Sequence, residues 1–259
     1  MKLTVLVENT ACREDLTAEH GLSLYIEACG KKILFDSGAS AAFADNAEKL
    51  GVDLSQVDMM ILSHGHYDHG GGIARFMELN KTAPIYLHKR AFAPSVSAAG
   101  TYIGINKMLK GSPRLHFTEG KVQLAPGLTL FDCNRRKLYA PVDPWGLGLR
   151  RGKTIKPDNF YHEQYLLIEE NGKKICISGC SHKGIENIVR WFSPDVLVGG
   201  FHFMRLEDVE VLKEKAATLL DSSAVFYTGH CTGGMQYEVL KEAMGERLHR
   251  VQTGVVLEA

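Results

Sequence analysis

The sequence predicts an α/β fold, and three observations support this prediction. Short apolar runs with strand character alternate with segments of helical composition along most of the chain. The order strand, helix, strand, helix, strand is typical of a sheet that is covered by helices. Side chains able to bind a metal fall at or near the ends of the predicted strands, and loops at one edge of a layered α/β sheet converge. We therefore expect a single site at one edge of the sheet.

The first half of the chain contains strands and helices in alternation. Period-two alternation is clear over residues 22–27, as expected of a half-buried strand. The predicted strands are 2–8, 22–27, 32–36, 58–63 and 84–88, and the predicted helices are 41–50 and 72–79. Residues 89–113 are interrupted by proline and glycine around an amphipathic stretch at 101–110. They predict a surface excursion, with a lid or a dimer contact as the alternative.

In the second half, the clearest local signal is the sequence Glu170-Asn171-Gly172-Lys173, because Asn-Gly between two apolar runs predicts a tight hairpin. The predicted strands are 121–124, 128–133, 165–169, 174–178, 195–198 and 224–227, and the predicted helices are 183–192 and 207–220. Between them, residues 134–160 are predicted to be a long irregular segment.

Length and charge limit the classes of protein to consider. The 259 residues suit one domain, which we expect to span residues 1–259. Lys+Arg and Asp+Glu are both 30, so the formal net charge is zero. This balance argues against a broad surface for nucleic acid or anionic membrane, and we expect neither as a partner. The sequence does not indicate the oligomeric state.

The cysteines and the N-terminus predict a reducing, cytoplasmic setting. The 6 cysteines are scattered without CxxC spacing. The chain begins with a strand-like run that lacks the pattern of a signal peptide. No apolar stretch approaches the roughly 18 residues expected of a membrane-spanning helix.

The highest density of possible metal ligands lies in the sequence Ser63-His64-Gly65-His66-Tyr67-Asp68-His69-Gly70, which contains three imidazoles and a carboxylate within six residues. An apolar run precedes it and a glycine-rich turn into a helix follows, so it is predicted to be a strand-to-helix loop. Imidazole nitrogen and carboxylate oxygen are good zinc ligands and also suit iron and manganese. A metal site is the strongest prediction from this sequence.

A basic and aromatic segment offers a candidate substrate site. Residues 134–160 contain Arg135 and Arg136 together with further lysines, arginines and aromatic residues. Such a composition suits an anionic small molecule, and a solvated charged face is an equally good interpretation. We assign Arg135 and Arg136 as candidate substrate-binding residues, together with Phe203, which follows the strand-end sequence Gly199-Gly200-Phe201-His202.

The HxHxDH sequence at His64–His69, preceded by Leu34-Phe35-Asp36-Ser37-Gly38, resembles the metallo-β-lactamase superfamily, and the resemblance extends over essentially the whole chain. It implies a four-layer αβ/βα sandwich with two metal ions at one edge of two facing sheets. The implied ions are divalent, with zinc expected first and iron or manganese as alternatives.

The resemblance also implies roles for individual residues. His64, His66 and His162 would bind one metal, and Asp68, His69 and His230 the second. The acid that usually bridges the metals is replaced by Cys180. A thiolate could coordinate there, or His182 could take over.

More narrowly, the sequences around His20, Cys180, His202 and His230 resemble a subgroup named for dihydropterin-ribofuranosylaminobenzene-phosphate synthases. The favoured function is a dinuclear metallohydrolase that acts on an anionic small molecule, with phosphate esters as first choice. Asp68 and His202 are its candidate catalytic residues, His202 as proton donor. A pterin-related transferase and a non-catalytic metal or ligand sensor are the alternatives.

Overall fold

Two seven-stranded sheets form the centre of the molecule in a computed structural model that describes residues 1–258. The strands are β1 (Lys2–Val7), β2 (Ser23–Ala28), β3 (Lys31–Phe35), β4 (Met59–Ile61), β5 (Ile85–His88), β6 (Ser95–Val96), β7 (Leu115–Thr118), β8 (Lys121–Ala125), β9 (Leu128–Phe131), β10 (Gly148–Arg151), β11 (Thr154–Pro157), β12 (Tyr165–Glu170), β13 (Lys173–Ile177), β14 (Val196–Val198), β15 (Val225–Thr228), β16 (Leu248–Arg250) and β17 (Val256–Glu258). The α-helices are α1 (Ala42–Lys49), α2 (Tyr67–Gly70), α3 (Ile73–Leu79), α4 (Ile185–Phe192), α5 (Val209–Leu220) and α6 (Gly234–Met244).

The two large sheets share one arrangement of strands. The first has the order β17-β1-β2-β3-β4-β5-β7, and the second has the order β16-β15-β14-β13-β12-β9-β8. A smaller sheet, β11-β10-β6, lies apart from both. In each large sheet, antiparallel strands on one side give way to parallel ones, at β3–β4 in the first and at β13–β14 in the second.

Three apolar clusters show how the layers stack. One cluster joins the inner faces of the two sheets, with Ile26 and Phe35 from the first and Leu166 and Ile177 from the second. The other two pack α1 and α3 on the outer face of the first sheet, and α4, α5 and α6 on the outer face of the second. Helix, sheet, sheet and helix therefore follow one another, and the predicted αβ/βα sandwich is confirmed.

The Asn-Gly hairpin is confirmed in detail. Strands β12 and β13 pair antiparallel up to Glu170 and Lys173. Asn171 and Gly172 have φ angles of 53° and 75°, the left-handed conformation that a two-residue type I′ turn requires at both positions. The predicted strand and helix positions elsewhere up to residue 228 match most of the observed elements within a few residues.

One prediction of secondary structure needs correction. Residues 134–160 are not irregular throughout, because β10 and β11 form a hairpin there that pairs with β6. Every residue of β11 is exposed, so the apolar alternation that reveals a strand is missing. Within the predicted surface excursion at 89–113, a short 3₁₀ turn begins at Lys107. Helix α6 and the last two strands, β16 and β17, were not predicted.

The parallel strands direct the chemistry to one edge. Because β3 and β4 are parallel, and β13, β14 and β15 are parallel, the residues that follow them within each sheet emerge on the same side. These residues are Asp36, His64, Cys180, His202 and His230. Within residues 1–258, no helix is long and apolar enough to cross a membrane.

Candidate metal centre

Asp36 holds the histidine loop in place. It follows β3 with a left-handed φ of 60° and is completely buried. Its Oδ1 accepts a hydrogen bond from the backbone N–H of Ser63 at 2.7 Å. Its Oδ2 accepts from the Ser63 hydroxyl at 2.6 Å and lies 2.7 Å from Nδ1 of His69. One carboxylate thus orients both ends of the loop.

The hydrogen bonds of Asp36 also determine the tautomer of His64. The Ser63 hydroxyl donates to the carboxylate, so its oxygen accepts from Nδ1 of His64 at 2.9 Å. The free lone pair of His64 is therefore on Nε2. That atom lies 3.2 Å from Nε2 of His182, whose ring stacks on Phe160 at a centroid distance of 4.3 Å.

His66 completes the first cluster of imidazoles. His64, His66 and His182 bring one nitrogen each within 4.8 Å of one another, and all three residues are buried. Nε2 of His66 and Nδ1 of His182 have no hydrogen-bond partner among the described residues. Buried polar atoms are almost always paired, so unpartnered nitrogens here indicate a missing ligand.

The second cluster is formed by His69, Cys180, His230 and Asp68. Nε2 of His69 lies 3.1 Å from Sγ of Cys180 and 3.1 Å from Nε2 of His230. Oδ2 of Asp68 lies 3.4 Å from Nε2 of His230. On the outer side, Nε2 of the half-exposed His20 lies 3.5 Å from the same carboxylate oxygen.

Neighbours hold His230 in position much as Asp36 holds His69. Nδ1 of His230 lies 2.9 Å from Oδ1 of Asn9, which can only accept a hydrogen bond. The backbone N–H of His230 donates to the carboxylate of Glu8. His230 therefore carries its proton on Nδ1, and its Nε2 presents a lone pair to the cluster.

Burial keeps the first cluster neutral. It lowers the pKa of His64 and His182 well below the ordinary value, and the neighbouring imidazoles lower it further. Burial likewise lowers the pKa of His66 to about 3, with a further contribution from His162. Neutral imidazole is the form that binds a metal.

The second cluster has the opposite electrostatics. Burial alone would lower the pKa of His69, but Asp36 and Asp68 outweigh it and raise this pKa to about 9. Burial alone would raise the pKa of Asp68, but His69 and His230 hold it well below its usual range. The buried carboxylates of Asp36 and Asp68 therefore favour a positive charge at the second cluster.

These residues fit divalent cations. In neutral His69 and His230, the protons would lie on Nδ1, where Asp36 and Asn9 accept them, so two lone pairs would face each other across 3.1 Å. A cation must separate them, either a proton or a metal ion. Imidazole, carboxylate and thiolate donors together suit zinc and other divalent transition metals.

A cavity of about 200 Å³ opens onto both clusters. Its walls include Trp145, Leu147 and Arg205 opposite the metal-binding side chains. Nη1 of Arg205 donates a 2.7 Å hydrogen bond to the carbonyl of Trp145. His202, whose ring centroid lies 4.3 Å from that of His182, also faces this space. Two larger cavities, one lined by Tyr139 and Ser223 and the other by Ala44 and Leu79, contain none of the clustered histidines. A third, of about 360 Å³, is lined by His230 alone of the two clusters, so we assign the chemistry to the cavity that reaches both.

A family model described as the metallo-β-lactamase superfamily matches residues 16–153, more than half of the chain. The chain belongs to the metallo-β-lactamase superfamily. Members of this superfamily typically bind divalent metals, and the His, Asp and Cys clusters described above are the candidate sites in this chain.

Individual relatives cover most or all of the chain. A protein of Methanocaldococcus jannaschii named 7,8-dihydropterin-6-methyl-4-(β-D-ribofuranosyl)-aminobenzene-5′-phosphate synthase is 29% identical over 286 residues, which cover 100% of this chain and 96% of the relative. An uncharacterized protein of the same organism is 29% identical over 215 residues, with 80% and 81% covered. The crystal structure of Tm1679, a metal-dependent hydrolase of the β-lactamase superfamily, superposes with a TM-score of 0.85 at 26% identity, covering 100% of this chain and 99% of that one.

His162 lies beside the first cluster, but its ring nitrogens are occupied. Nδ1 accepts a hydrogen bond from the backbone N–H of Gly65 at 3.1 Å, so the proton lies on Nε2 and is directed to Asp158 at 3.2 Å. His66, Asp158 and His162 are also close enough to hold an ion. We favour His182 over His162 as the third imidazole, because His182 has an unpartnered nitrogen and His162 has none.

The three predicted substrate-binding residues lie away from this cavity. Arg136 donates to the carbonyl of Trp191 and lies over Phe131 and Phe192, and it lines a different cavity. Arg135 is exposed and does not line the metal-side cavity. Phe203 is buried in the apolar cluster beneath the second sheet. Their positions do not support the predicted role, because composition alone cannot show which way a basic segment faces.

Sequence reasoning missed several residues of the site. Asn9 and Glu8 orient His230, and Arg205 and Trp145 line the cavity. Glu8 ends the first predicted strand and Asn9 directly follows it, and this position was the available signal. His20 lies in the loop between the first two predicted strands, and it contacts Asp68.

Proposed function

We propose that this protein is a metal-dependent hydrolase with two divalent ions, acting on an anionic small molecule, with a phosphate ester as first choice. One observation carries the proposal. In their neutral forms, His69 and His230 would direct lone pairs at each other across 3.1 Å, next to Cys180 and Asp68 of the cavity wall and beside a second cluster with unpartnered nitrogens. We expect zinc first, with iron or manganese as alternatives.

Bound divalent ions would supply an activated water and stabilise negative charge that develops on the substrate. The side chains of the protein would hold these ions and orient the water. His64, His66 and His182 would hold one ion, and His69, Cys180, His230 and Asp68 the other. Asp68, with its pKa held low, remains an acceptor that can orient the attacking water.

The cavity wall suits the rest of the substrate. Arg205 offers a guanidinium to an anionic group, and Trp145 and Leu147 offer apolar surface to the remainder. His202 lines the same cavity and would give a proton to the leaving group. The volume of about 200 Å³ favours a small molecule over a polymer.

The test combines metal analysis with hydrolysis assays. Protein loaded with zinc, manganese or iron is assayed on phosphodiesters, phosphomonoesters and lactones. We expect hydrolysis with at least one metal, and its loss in His66→Ala but not in His116→Ala. His116 is an exposed histidine of β7, and Nε2 of His66 has no hydrogen bond to lose. Absence of turnover with every metal would overturn the proposal.

A second candidate function rests on the synthase-named relative, which is similar over the full length of the chain. In that case the protein would transfer a group to or from a pterin-related substrate. Turnover of a dihydropterin with a phosphoribosyl or phenolic partner, without hydrolysis of simple esters, would favour this function. Metal binding with a ligand-dependent rise in melting temperature and no turnover would instead indicate a sensor.

A further inference from the structure

A group of sulfur and imidazole donors lies beside the two clusters. Sγ of Cys180, Sγ of Cys231 and a ring nitrogen of His202 lie within 4.8 Å of one another. Both cysteines are only 2% exposed, and all three residues line the metal-side cavity. Nδ1 of His202 is buried and has no hydrogen-bond partner among the described residues. The hydrolase proposed above uses Cys180 as a ligand and His202 as a proton donor, and it assigns no role to Cys231. An ion at this third group would take His202 as a ligand in place of the proton donor.

The backbone is shaped to bring these donors together. A Cβ atom on Gly200 would lie 2.4 Å from Sγ of Cys231, so any larger residue there would displace the thiol. The N–H of Gly200 donates to the carbonyl of Gly179, and the N–H of Met204 donates to the carbonyl of Cys231. The loops after β13, β14 and β15 are thus joined around the two sulfurs.

His202 is held in an uncommon conformation. Its φ is 56°, in the left-handed region that non-glycine residues seldom adopt. Such strain is typical of residues held for a function. In this conformation the imidazole of His202 lies close to both the ring of His182 and the thiol of Cys231.

We propose that Cys180, Cys231 and His202 form a further cation site, rich in thiolate, that takes zinc or another thiophilic divalent ion. Two thiolates and a neutral imidazole carry two negative charges, which one divalent ion balances. The cavity leaves a coordination position open to solvent or substrate, as catalytic rather than structural zinc sites do. Cys180 also lies 3.1 Å from Nε2 of His69, so its sulfur can bridge this ion and the one at His69 and His230.

Cadmium is a direct probe, because it binds thiolates strongly and its thiolate complexes absorb in the ultraviolet. The full-length protein is stripped of metal, reduced, and titrated with cadmium while bound metal, free thiols and ultraviolet absorption are measured. Cys231→Ser keeps the shape of the residue and removes the sulfur. We expect it to bind one equivalent fewer than the wild type, with about half of the charge-transfer absorption.

Two further variants complete the test. Cys12→Ser removes an exposed cysteine elsewhere and should behave as the wild type. His202→Asn replaces the imidazole by a residue that tolerates a left-handed φ. We expect it to weaken binding of the same cadmium ion, and it tests the site even if Cys231→Ser fails to fold. Unchanged stoichiometry and absorption in both site variants would overturn the inference, as would a Cys180–Cys231 disulfide in place of bound metal. Ions retained at the histidine clusters would still be counted, so the hydrolase proposal is tested separately.

Discussion

Nε2 of His69 lies 3.1 Å from Nε2 of His230, although the second nitrogen of each ring already faces an acceptor, Asp36 or Asn9. Two neutral imidazoles in this arrangement would repel each other through their lone pairs. A positive charge is therefore required between the rings or on one of them. Residues outside the cluster impose this requirement, and their effects can be tested separately.

Asp36→Asn should weaken metal binding without removing a ligand. The amide cannot accept at all the positions that Asp36 serves, so the tautomers of His64 and His69 are no longer imposed. Loss of such an outer partner typically lowers metal affinity by about 10–100-fold. Competition with a chromophoric chelator measures the change. Asp45→Asn, an exposed acid of α1, is the control and should leave affinity unaltered.

The stability that His69 contributes to the metal-free protein should be lost as pH rises from about 6.5 to about 9. The pKa of His69 is raised from 6.5 to about 9 in the folded state, so its contribution is fully present below 6.5 and is lost as pH rises through 9. His64, His66 and His182 have lowered pKa values, so they reduce stability only below 6.5. The difference in melting temperature between the wild type and His69→Gln checks the prediction, and it should shrink as pH rises across this range.

Arg205→Gln should raise KM more than it lowers kcat for an anionic substrate. A hydrogen bond to a charged group is worth about 1.5–3 kcal/mol, which corresponds to roughly 10–100-fold in KM. Arg135→Gln is the matched control, because Arg135 does not line the cavity. Steady-state kinetics distinguish the two positions, and an effect confined to Arg135 would contradict our placement of the substrate.

Glu163→Gln should destabilise the fold near Cys180 and His182. The buried carboxylate accepts hydrogen bonds from the backbone N–H groups of His182 and Lys183 at 2.7 and 3.1 Å, and from the Tyr165 hydroxyl at 2.5 Å. Weakening such a buried acceptor costs about 1–3 kcal/mol. Urea denaturation of the metal-free protein measures it. Glu169→Gln, at an exposed position on the same hairpin, should cost far less.

The fold and the densest motif could be predicted from the sequence because their signals are local. The Asn171-Gly172 turn and the apolar strands depend on short-range chemistry, and so does the crowding of His64, His66 and His69 in one loop. Strand β11 could not be predicted because all its side chains are exposed, so it has no buried face to create a pattern.

Other parts of the site depend on contacts between residues far apart in the chain. Asn9 accepts a hydrogen bond from His230, which lies 221 positions later in the chain, and no local sequence pattern predicts that contact. Whether His162 or His182 is the third imidazole ligand depends on the hydrogen bond that the backbone N–H of Gly65 donates to Nδ1 of His162. The sequence does not contain this information. The composition around Arg135 and Arg136 suits an anion, but the packing beneath a basic loop decides the direction in which it faces.

We propose that two groups of side chains hold cations. One group consists of His64, His66 and His182, and the other of His69, Cys180, His230 and Asp68. Anomalous diffraction at the zinc edge from crystals of the zinc-loaded protein tests this proposal most directly. We predict one peak within bonding distance of each group, with His162 still bound to Asp158 and the Gly65 amide. Absence of both peaks, or an ion bound by His162 and Asp158 in place of His182, would contradict the claim.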